Sequence, residues 1–359
     1  MSALAEHRRA VARTVTMVIV VAAVLVAVPY ALPNDYWVDR VAGWIPLAVA
    51  ALGLNLLTGY NGQISLGHGA LYGTGAYATA LILNHLGWPY LLAVVGSAVV
   101  CFVAGVLVGL PALRIKGLYL ALVTLAVAVL FPQILEQFSS VTGGSAGLGI
   151  TESALNHRGV VVEQSIRFDP PEGSGLSTAQ WRYFFMVAVA VVCFVITRNI
   201  IHSRTGRAIV AIRDNETAAE VSGVDVARTK VLTFGVSASL AGVAGALFAL
   251  FQATQPSRIS SGSFTLLVSL YFLVAIVIGG PQSIIGPALG AIAIGVFRDV
   301  ITPELPERVK TATPLILGAL LIVSVLAAPG GIVGTVESVR ARRRRSPATI
   351  TPTPTTEEP

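Results

Sequence analysis

The chain has 359 residues, of which 54% are hydrophobic and only 12% are charged, and its mean hydropathy is +0.77. Because soluble domains carry roughly 25% charged residues, this composition excludes an ordinary water-soluble fold and predicts an integral membrane protein. The net charge of +6 does not indicate a nucleic-acid partner, since the basic residues lie at the ends of apolar segments and not along one amphipathic face.

Apolar segments long enough to cross a bilayer follow one another along the chain. A membrane helix needs about 20 apolar residues, because its backbone polar groups find no water in the bilayer core. The predicted fold class is therefore all-α, a polytopic integral membrane helical bundle of about ten transmembrane helices. We interpret the first segment as a retained span and not as a cleaved signal peptide, because its apolar run is too long for one. The predicted spans are Val15–Leu32, Val41–Leu57, Ile64–Leu83, Tyr90–Leu110, Leu118–Leu135, Trp181–Thr197, Val231–Ala253, Phe264–Ile278, Ile284–Ile301 and Thr313–Ala327.

Lysine and arginine concentrate in alternate connections, which indicates that these connections face the cytoplasm. The pattern predicts that both termini are cytoplasmic and that the number of spans is even. It divides the chain into a cytoplasmic N-terminal segment at 1–14, a transmembrane domain at 15–335 and a cytoplasmic tail at 336–359. The tail is basic at first, and the part after Arg345 is rich in Pro and Thr, so we expect that last part to be disordered.

Two of the connections are long. The outer one, at about 138–180, contains the alternating stretch GVVVEQSIRF, which predicts a strand or hairpin. The inner one, at about 198–230, is polar and predicts one or two short helices outside the membrane. Its apolar residues suit a short amphipathic helix that ends at Gly223. Such a helix either docks in the groove of a partner protein or rests on the lipid headgroups.

The sequence carries little that indicates covalent chemistry. It lacks a GxxxxGK[ST] phosphate loop and any HExxH or GxSxG motif. Cys101 and Cys193 lie in apolar runs without metal-ligand spacing around them, so neither a disulfide nor a metal site is predicted. Ionisable residues are scarce at the centres of the predicted spans, which argues against an ion-coupled carrier; Glu136 and Asp299 lie near helix ends. We therefore expect no enzyme activity and no bound cofactor, and a driving force supplied by another protein.

Polar residues lie among glycines in the stretch Leu52–Ala80 and again after Arg114. Glycines allow helices to approach closely or to break, and polar groups beside a break can line a transport path. The alternative is ordinary packing, with the polar groups as hydrogen bonds between helices. The candidates to line a path for a small zwitterion are Asn55, Gln63, Ser65, His68, Tyr72, Tyr119 and Thr124.

The glycine-rich stretches Gly59–Ala76 and Gly279–Gly295 resemble each other weakly. Each follows a span that ends on the inner side. They are either corresponding parts of two repeated halves or a chance enrichment in glycine.

Together these stretches resemble the branched-chain amino acid permease family of ABC importers, particularly the larger of its two permease types. The resemblance covers most of Val41–Gly334, in the order GLNLLTGYNGQISLGHGA, KGLYLALVTLA, TGGSAGLGI, GRAIVAIRDNETAAEVSG and GGPQSIIGPALGA. It implies a multi-pass subunit of the bacterial cytoplasmic membrane that imports branched-chain or similar hydrophobic amino acids. It also implies a second permease subunit, two cytoplasmic ATPase subunits that use ATP, and an extracytoplasmic substrate-binding protein. An importer of urea or short amides is the nearest alternative, and a stand-alone secondary carrier or channel is the alternative from another class.

Within this resemblance, the inner loop is similar to the ATPase-coupling motif of ABC importers, whose common form is EAA, three residues, then Gly. Thr217, Ala218, Ala219 and Gly223 match it, with Thr in the position of the Glu. The residues that the resemblance assigns to ATPase coupling are Gly206, Arg207, Arg213, Glu216, Thr217, Ala218, Ala219, Glu220 and Gly223.

Overall fold

The computed structural model describes residues 20, 22–112, 118–155, 161–165, 168–171, 173–253, 258–306, 315–316, 318–319, 322–323, 326 and 330–344. The predicted N-terminal segment, the end of the predicted tail and most of the span Thr313–Ala327 lie outside these residues, as do Arg114 and Lys116.

The described residues form a helical bundle with one short hairpin. The elements are α1 (Ala22–Ala31), α2 (Asp35–Ala42), α3 (Ile45–Leu54), α4 (His68–Leu81), α5 (Tyr90–Ala112), α6 (Leu118–Gln137), α7 (Ser139–Thr142), β1 (Thr151–Leu155), β2 (Val161–Ser165), α8 (Thr178–His202), α9 (Arg204–Asp214), α10 (Glu216–Val221), α11 (Val226–Ala253), α12 (Leu266–Gly279), α13 (Gly286–Val296), α14 (Thr302–Glu304) and α15 (Gly331–Arg344). Wider π-helical turns extend α3 to Tyr60, α4 to Leu86 and α13 to Ile301.

Six helical stretches in the described part of the chain are long and apolar enough to cross a membrane. They are Asp35–Tyr60, Tyr90–Pro111, Tyr119–Gln137, Thr178–His202, Val226–Ala253 and Ser261–Gly279. This confirms the predicted polytopic helical bundle. The total of ten spans and the cytoplasmic position of both termini stay predictions.

The centre of the bundle is α11, which packs against α5, α4 and α3. Small residues make these contacts: a Cβ at Gly242 would lie 2.6 Å from the Cβ of Cys101, and a Cβ at Gly75 would collide with the backbone of Gly242. The Ser97 hydroxyl bonds the carbonyls of Gly75 at 2.8 Å and Gly242 at 3.1 Å. Close backbone approach through small residues is how membrane helices associate where the solvent is itself apolar.

Helical structure stops in two places that the sequence analysis marked as glycine-rich. Residues 61–67, named here the broken segment, separate the π-helical extension of α3 from α4, and residues 280–285, the second break, separate α12 from α13. The span predicted from Ile64 therefore begins as a helix only at His68. The reason is local: Gly62 lies in the left-handed region with φ of +73°, which a continuing helix cannot contain.

The hairpin lies at the end of the bundle remote from α9 and α10. Strand β1 pairs antiparallel with β2, from Thr151 opposite Ser165 to Leu155 opposite Val161, which confirms the predicted strand or hairpin. The Asn84 side chain, at the far end of α4 from the broken segment, donates to the Gly149 carbonyl at 2.9 Å and accepts from the Thr151 N–H at 3.1 Å. These bonds attach the hairpin to the bundle.

Candidate translocation and coupling site

Asn55 holds the second break against the end of α3. It is fully buried at the start of the π-helical turn that follows α3. Its side-chain Nδ2 donates to the Ser283 carbonyl at 2.8 Å, and its Oδ1 accepts from the Gln282 N–H at 3.2 Å. Among the described residues, Gln282 is the one non-glycine with positive φ, +65°, a conformation that non-glycine residues avoid. Both hydrogen bonds therefore hold backbone that no helix stabilises.

The broken segment and the start of α4 carry buried polar atoms that have no hydrogen-bond partner within the described structure. These atoms are both side-chain polar atoms of Asn61, Oε1 of Gln63, Oγ of Ser65 and both ring nitrogens of His68. The backbone of Ala50 lies beside the His68 ring but outside hydrogen-bond geometry. Because burying a polar group without a partner is unfavourable, this cluster is suited to bond a polar solute or water.

Thr124 holds the broken segment in place. It is 1% exposed, and its hydroxyl accepts from the Leu66 N–H at 3.0 Å while donating to the Ala121 carbonyl at 3.1 Å. A Cβ at Gly67 would lie 2.7 Å from the Thr124 carbonyl oxygen. Thr124 therefore uses its hydroxyl to fix α6 to the broken segment.

Tyr72 and Tyr119 occupy different environments. Tyr72 is buried and forms an aromatic cluster with Phe272 at 5.3 Å, Phe248 at 5.5 Å and Phe264 at 5.9 Å between ring centroids. Tyr119 is 72% exposed on α6 and does not join the polar cluster. The structure thus brings Gln63, Ser65, His68 and Thr124 together, with Tyr72 near His68 through Phe272. It places Asn55 on the second break and leaves Tyr119 apart.

Sequence reasoning missed three polar residues of this region. Asn61 lies between Asn55 and Gln63, which were both predicted to line the path. Its position two residues before Gln63 was the signal that could have identified it. Ser237 and Ser269 bond the backbones of the neighbouring helices, the first to the Gly53 carbonyl at 2.7 Å and the second to the Gly69 N–H at 2.8 Å. A lone serine in an apolar helix gives no such signal.

A buried ion pair was also missed. Arg182 of α8 is 4% exposed and bonds Oδ1 of Asp39, in α2, at 2.6 Å. Its guanidinium lies over the ring of Phe251 at 5.4 Å. Charges inside a membrane protein are stable when paired, and this pair fixes α2 to α8 near the hairpin end.

The inner loop forms two short helices, as predicted. The side chain of Ser203 begins α9 by accepting from the Gly206 N–H at 3.4 Å, and that of Asn215 begins α10 by accepting from the Ala218 N–H at 3.0 Å. Gly206 is buried, and a Cβ there would collide with the Ile201 carbonyl. Arg207 is exposed.

Helix α10 buries one residue and exposes most of the others. Ala219 is 3% exposed, whereas Val221 is 85% exposed. Glu216 is half-buried and forms an ion pair with Lys230 of α11 at 2.9 Å. Gly223, with φ of +86°, turns the chain away after the helix. The remaining exposed residues of the predicted coupling set in α10 are Thr217, Ala218 and Glu220.

The two predicted residue sets meet at one cavity of about 260 Å³. Part of the broken segment and the junction of α9 and α10 line this cavity, together with Lys230 and Leu120. The lining residues are Asn61, Gly62, Gln63, Ile64, Leu120, Ile212, Arg213, Asp214, Asn215, Glu216 and Lys230. The first residue of α10, Glu216, thus lies at the same cavity as Asn61 and Gln63 of the broken segment.

The described residues contain no group of three or more His, Cys, Asp or Glu side chains placed to hold a metal ion. Cys101 and Cys193 are buried free thiols.

Comparison with known proteins gives a consistent family. Residues 39–325, more than half of the chain, match the family described as branched-chain amino acid transport system / permease component. The high-affinity branched-chain amino acid transport system permease protein LivM of Salmonella typhimurium is 30% identical over 301 residues, which cover 79% of this chain and 67% of the relative. LivH of Escherichia coli is 28% identical over 301 residues, 81% of this chain and 92% of the relative. A probable LivH of Methanocaldococcus jannaschii is 27% identical over 305 residues, 80% of this chain and 88% of the relative.

No solved structure matches the chain significantly. The family match, together with the apolar helices, makes the chain a multi-pass protein of the cytoplasmic membrane and a transport subunit, not an enzyme. The chain belongs to the family of permease components of branched-chain amino acid transport systems.

Proposed function

We propose that this chain is one membrane-spanning permease subunit of an ATP-binding cassette importer that moves branched-chain or similar hydrophobic amino acids into the cytoplasm. The observation that carries the proposal is the contact between two features: the buried polar cluster of the broken segment and the helix pair α9–α10. A transporter powered from outside its membrane domain needs a path that can open and an element on which another protein can act. Here residues of both features line one cavity.

The polar cluster fits the common part of an amino acid. A zwitterion presents an ammonium donor and a carboxylate acceptor, and the cluster offers the amide of Asn61, the carbonyl of Gln63 and the hydroxyl of Ser65. Aromatic and aliphatic side chains of the buried core, including Tyr72 and Phe272, lie next to it and suit an apolar side chain. Of the path residues predicted from sequence, Gln63, Ser65 and His68 act here as the polar lining and Thr124 as its support, whereas Tyr119 takes no part.

The exposed face of α10 is the proposed ATPase contact. Val221 is the most exposed large apolar residue of this helix, and a partner groove that accepts it would remove it from water. Two cytoplasmic ATPase subunits then supply the energy by using ATP, and a second permease subunit completes the membrane domain. An extracytoplasmic binding protein delivers the substrate at the hairpin end. Both termini of this chain lie in the cytoplasm, in keeping with the distribution of Lys and Arg.

Reconstitution in liposomes tests the proposal. The chain is co-expressed with a second permease and an ATPase pair from the same genomic neighbourhood, and uptake of radiolabelled leucine is measured with the binding protein outside and ATP inside. We expect uptake that requires ATP and all partners, with the chain alone inactive. Leucine uptake by the isolated chain would instead indicate a stand-alone carrier, and ATP-driven uptake of labelled urea but not leucine would indicate the importer of urea or short amides.

A further inference from the structure

The side chain of Arg213 lies directly over the backbone of Gly62. Arg213 is next to the last residue of α9, and Gly62 belongs to the broken segment. A Cβ at Gly62 would lie 2.9 Å from Cγ and 3.6 Å from Cβ of Arg213. The absence of a side chain at Gly62 is what lets the stem of Arg213 reach the backbone of the broken segment.

The guanidinium of Arg213 is bonded to the next residue of α9, Asp214. It donates to Oδ1 of Asp214 through Nε at 3.0 Å and through Nη2 at 2.7 Å. Asn215 follows and caps α10, and Glu216, the first residue of α10, is paired with Lys230. Two residues, Asp214 and Asn215, connect Arg213 to α10. The first is bonded to Arg213 and the second to the Ala218 N–H, so a displacement of α10 should also move Arg213.

The broken segment is able to respond to such a displacement. It lacks the continuous backbone hydrogen bonds of a helix. The described hydrogen bonds that fix it are Gln63 N–H to the Leu57 carbonyl, the Thr58 hydroxyl to the Gln63 carbonyl, Leu66 N–H to the Thr124 hydroxyl and, at its end, Ala70 N–H to the Gly67 carbonyl. The cavity of about 260 Å³ beside it gives room for movement. Gly62 is thus the point of the polar path that the α9–α10 junction touches.

We infer that Arg213 is the positioning residue that transmits movement of the coupling helix to the translocation path, by pressing its aliphatic stem on Gly62. This inference rests on the proposed function and adds to it a specific mechanical contact. It requires the length of the stem and not the guanidinium, so lysine should replace arginine here and alanine should not.

Variants of the full transporter separate this role from a structural one. In R213A, we expect ATP hydrolysis to continue while the number of leucine molecules imported per ATP falls about tenfold, within the usual range of a coupling between two sites. R213K should retain most of the wild-type ratio. R204A, at an exposed position of the same helix, is the matched control and should leave the ratio unchanged. A wild-type ratio in R213A, or a loss in R213K as large as in R213A, would overturn the inference.

A disulfide supplies an independent test of the same contact. The two Cβ atoms in the double variant G62C/R213C would lie 3.6 Å apart, within the range of natural disulfides, roughly 3.5–4.5 Å. The native cysteines are buried and do not compete. In the reduced double variant the aliphatic stem of residue 213 is missing, so leucine import per ATP should be low. Oxidation replaces the stem by a covalent link and should raise import per ATP severalfold. Failure of the cross-link to form, or a cross-link that leaves import as low as before, contradicts the inference.

The cross-link is measured in membranes by gel mobility and needs no transport. If the wild-type complex shows no ATP-driven uptake, the proposed function fails while the contact between α9 and the broken segment is still tested by the cross-link. If the wild type transports and R213A keeps its ratio, the positioning role alone fails.

Discussion

Asn55 and Ser283 are separated by 228 residues in the sequence and are joined by a hydrogen bond of 2.8 Å from the asparagine amide to the serine carbonyl. The same side chain accepts from the Gln282 N–H. One buried amide in the helical turn before the broken segment therefore holds the second break, residues 280–285, against the end of α3.

Replacing Asn55 by alanine should destabilise the protein. It leaves a carbonyl and an N–H of the second break without their partner, and each such loss costs about 1–3 kcal/mol in a buried setting. We expect a lower midpoint of thermal unfolding in detergent, together with reduced uptake. Thr74→Ala is the control, because among the described residues the Thr74 hydroxyl bonds just the Ala70 carbonyl of its own helix. An equal loss of stability in both variants would count against the role of Asn55.

Ser65→Ala and Ser269→Ala should have opposite effects on stability. The Ser65 hydroxyl is buried without a partner in the described structure, so its removal should leave the free energy of unfolding unchanged or raise it by about 1 kcal/mol. The Ser269 hydroxyl accepts from the Gly69 N–H, so its removal should lower it by about 1–2 kcal/mol. If Ser65 contacts the substrate, its variant alone combines intact stability with a raised KM for uptake. Unchanged uptake in a stable Ser65→Ala protein would remove Ser65 from the path.

A large residue at Ala219 should abolish uptake while the protein still inserts in the membrane. Ala219 is the buried residue of α10, and Ala219→Leu would lift the helix from its support, since overpacking costs about 1–3 kcal/mol. Membrane fractionation and binding of the ATPase subunits are measured beside uptake. Ala227→Leu adds the same volume at an exposed position in the first turn of α11 and should transport normally; wild-type uptake in Ala219→Leu would refute the assignment of α10 to coupling.

The ion pair between Arg182 and Asp39 should contribute to the stability of the protein and take no direct part in transport. Arg182→Leu leaves Asp39 with its charge unpaired in a largely apolar setting, which should cost about 3 kcal/mol. The double variant Arg182→Leu with Asp39→Leu should regain most of that stability, because apolar pairs often replace buried ion pairs without loss. Its uptake should recover too. A stable double variant that cannot transport would show that the pair carries charge movement, as in an ion-coupled carrier.

The sequence predicted the spans well wherever apolar length decided them. Tyr90–Leu110 was expected and α5 runs from Tyr90 to Ala112; Leu118–Leu135 was expected and α6 ends at Gln137. Helix α8 begins at Thr178, earlier than the predicted Trp181. The cause is the capping box of Ser177 and Gln180, which starts the helix among polar residues, where an apolar window does not reach.

The candidate site was less predictable, because its geometry depends on partners remote in sequence. The residue types of the broken segment indicated polar function. However, the bond from the Leu66 N–H to the Thr124 hydroxyl and the contact of Gly62 with Arg213 join this segment to helices that are remote in sequence. Tyr119 shows a second difficulty. On a helix that is apolar all round, the periodicity of the sequence does not indicate which side faces neighbouring helices, so its side could not be assigned. The roles of the site residues in transport stay predictions.

The glycines and serine that bring α4, α5 and α11 into backbone contact also limit which parts of this protein can travel during a cycle. Helices whose backbones are in direct contact cannot slide past one another without losing that contact, because closely packed interiors resist deformation. We therefore expect these three helices to move together as one rigid body. Within the described residues, the non-helical residues 61–67 and 280–285 are then the places where the backbone can bend.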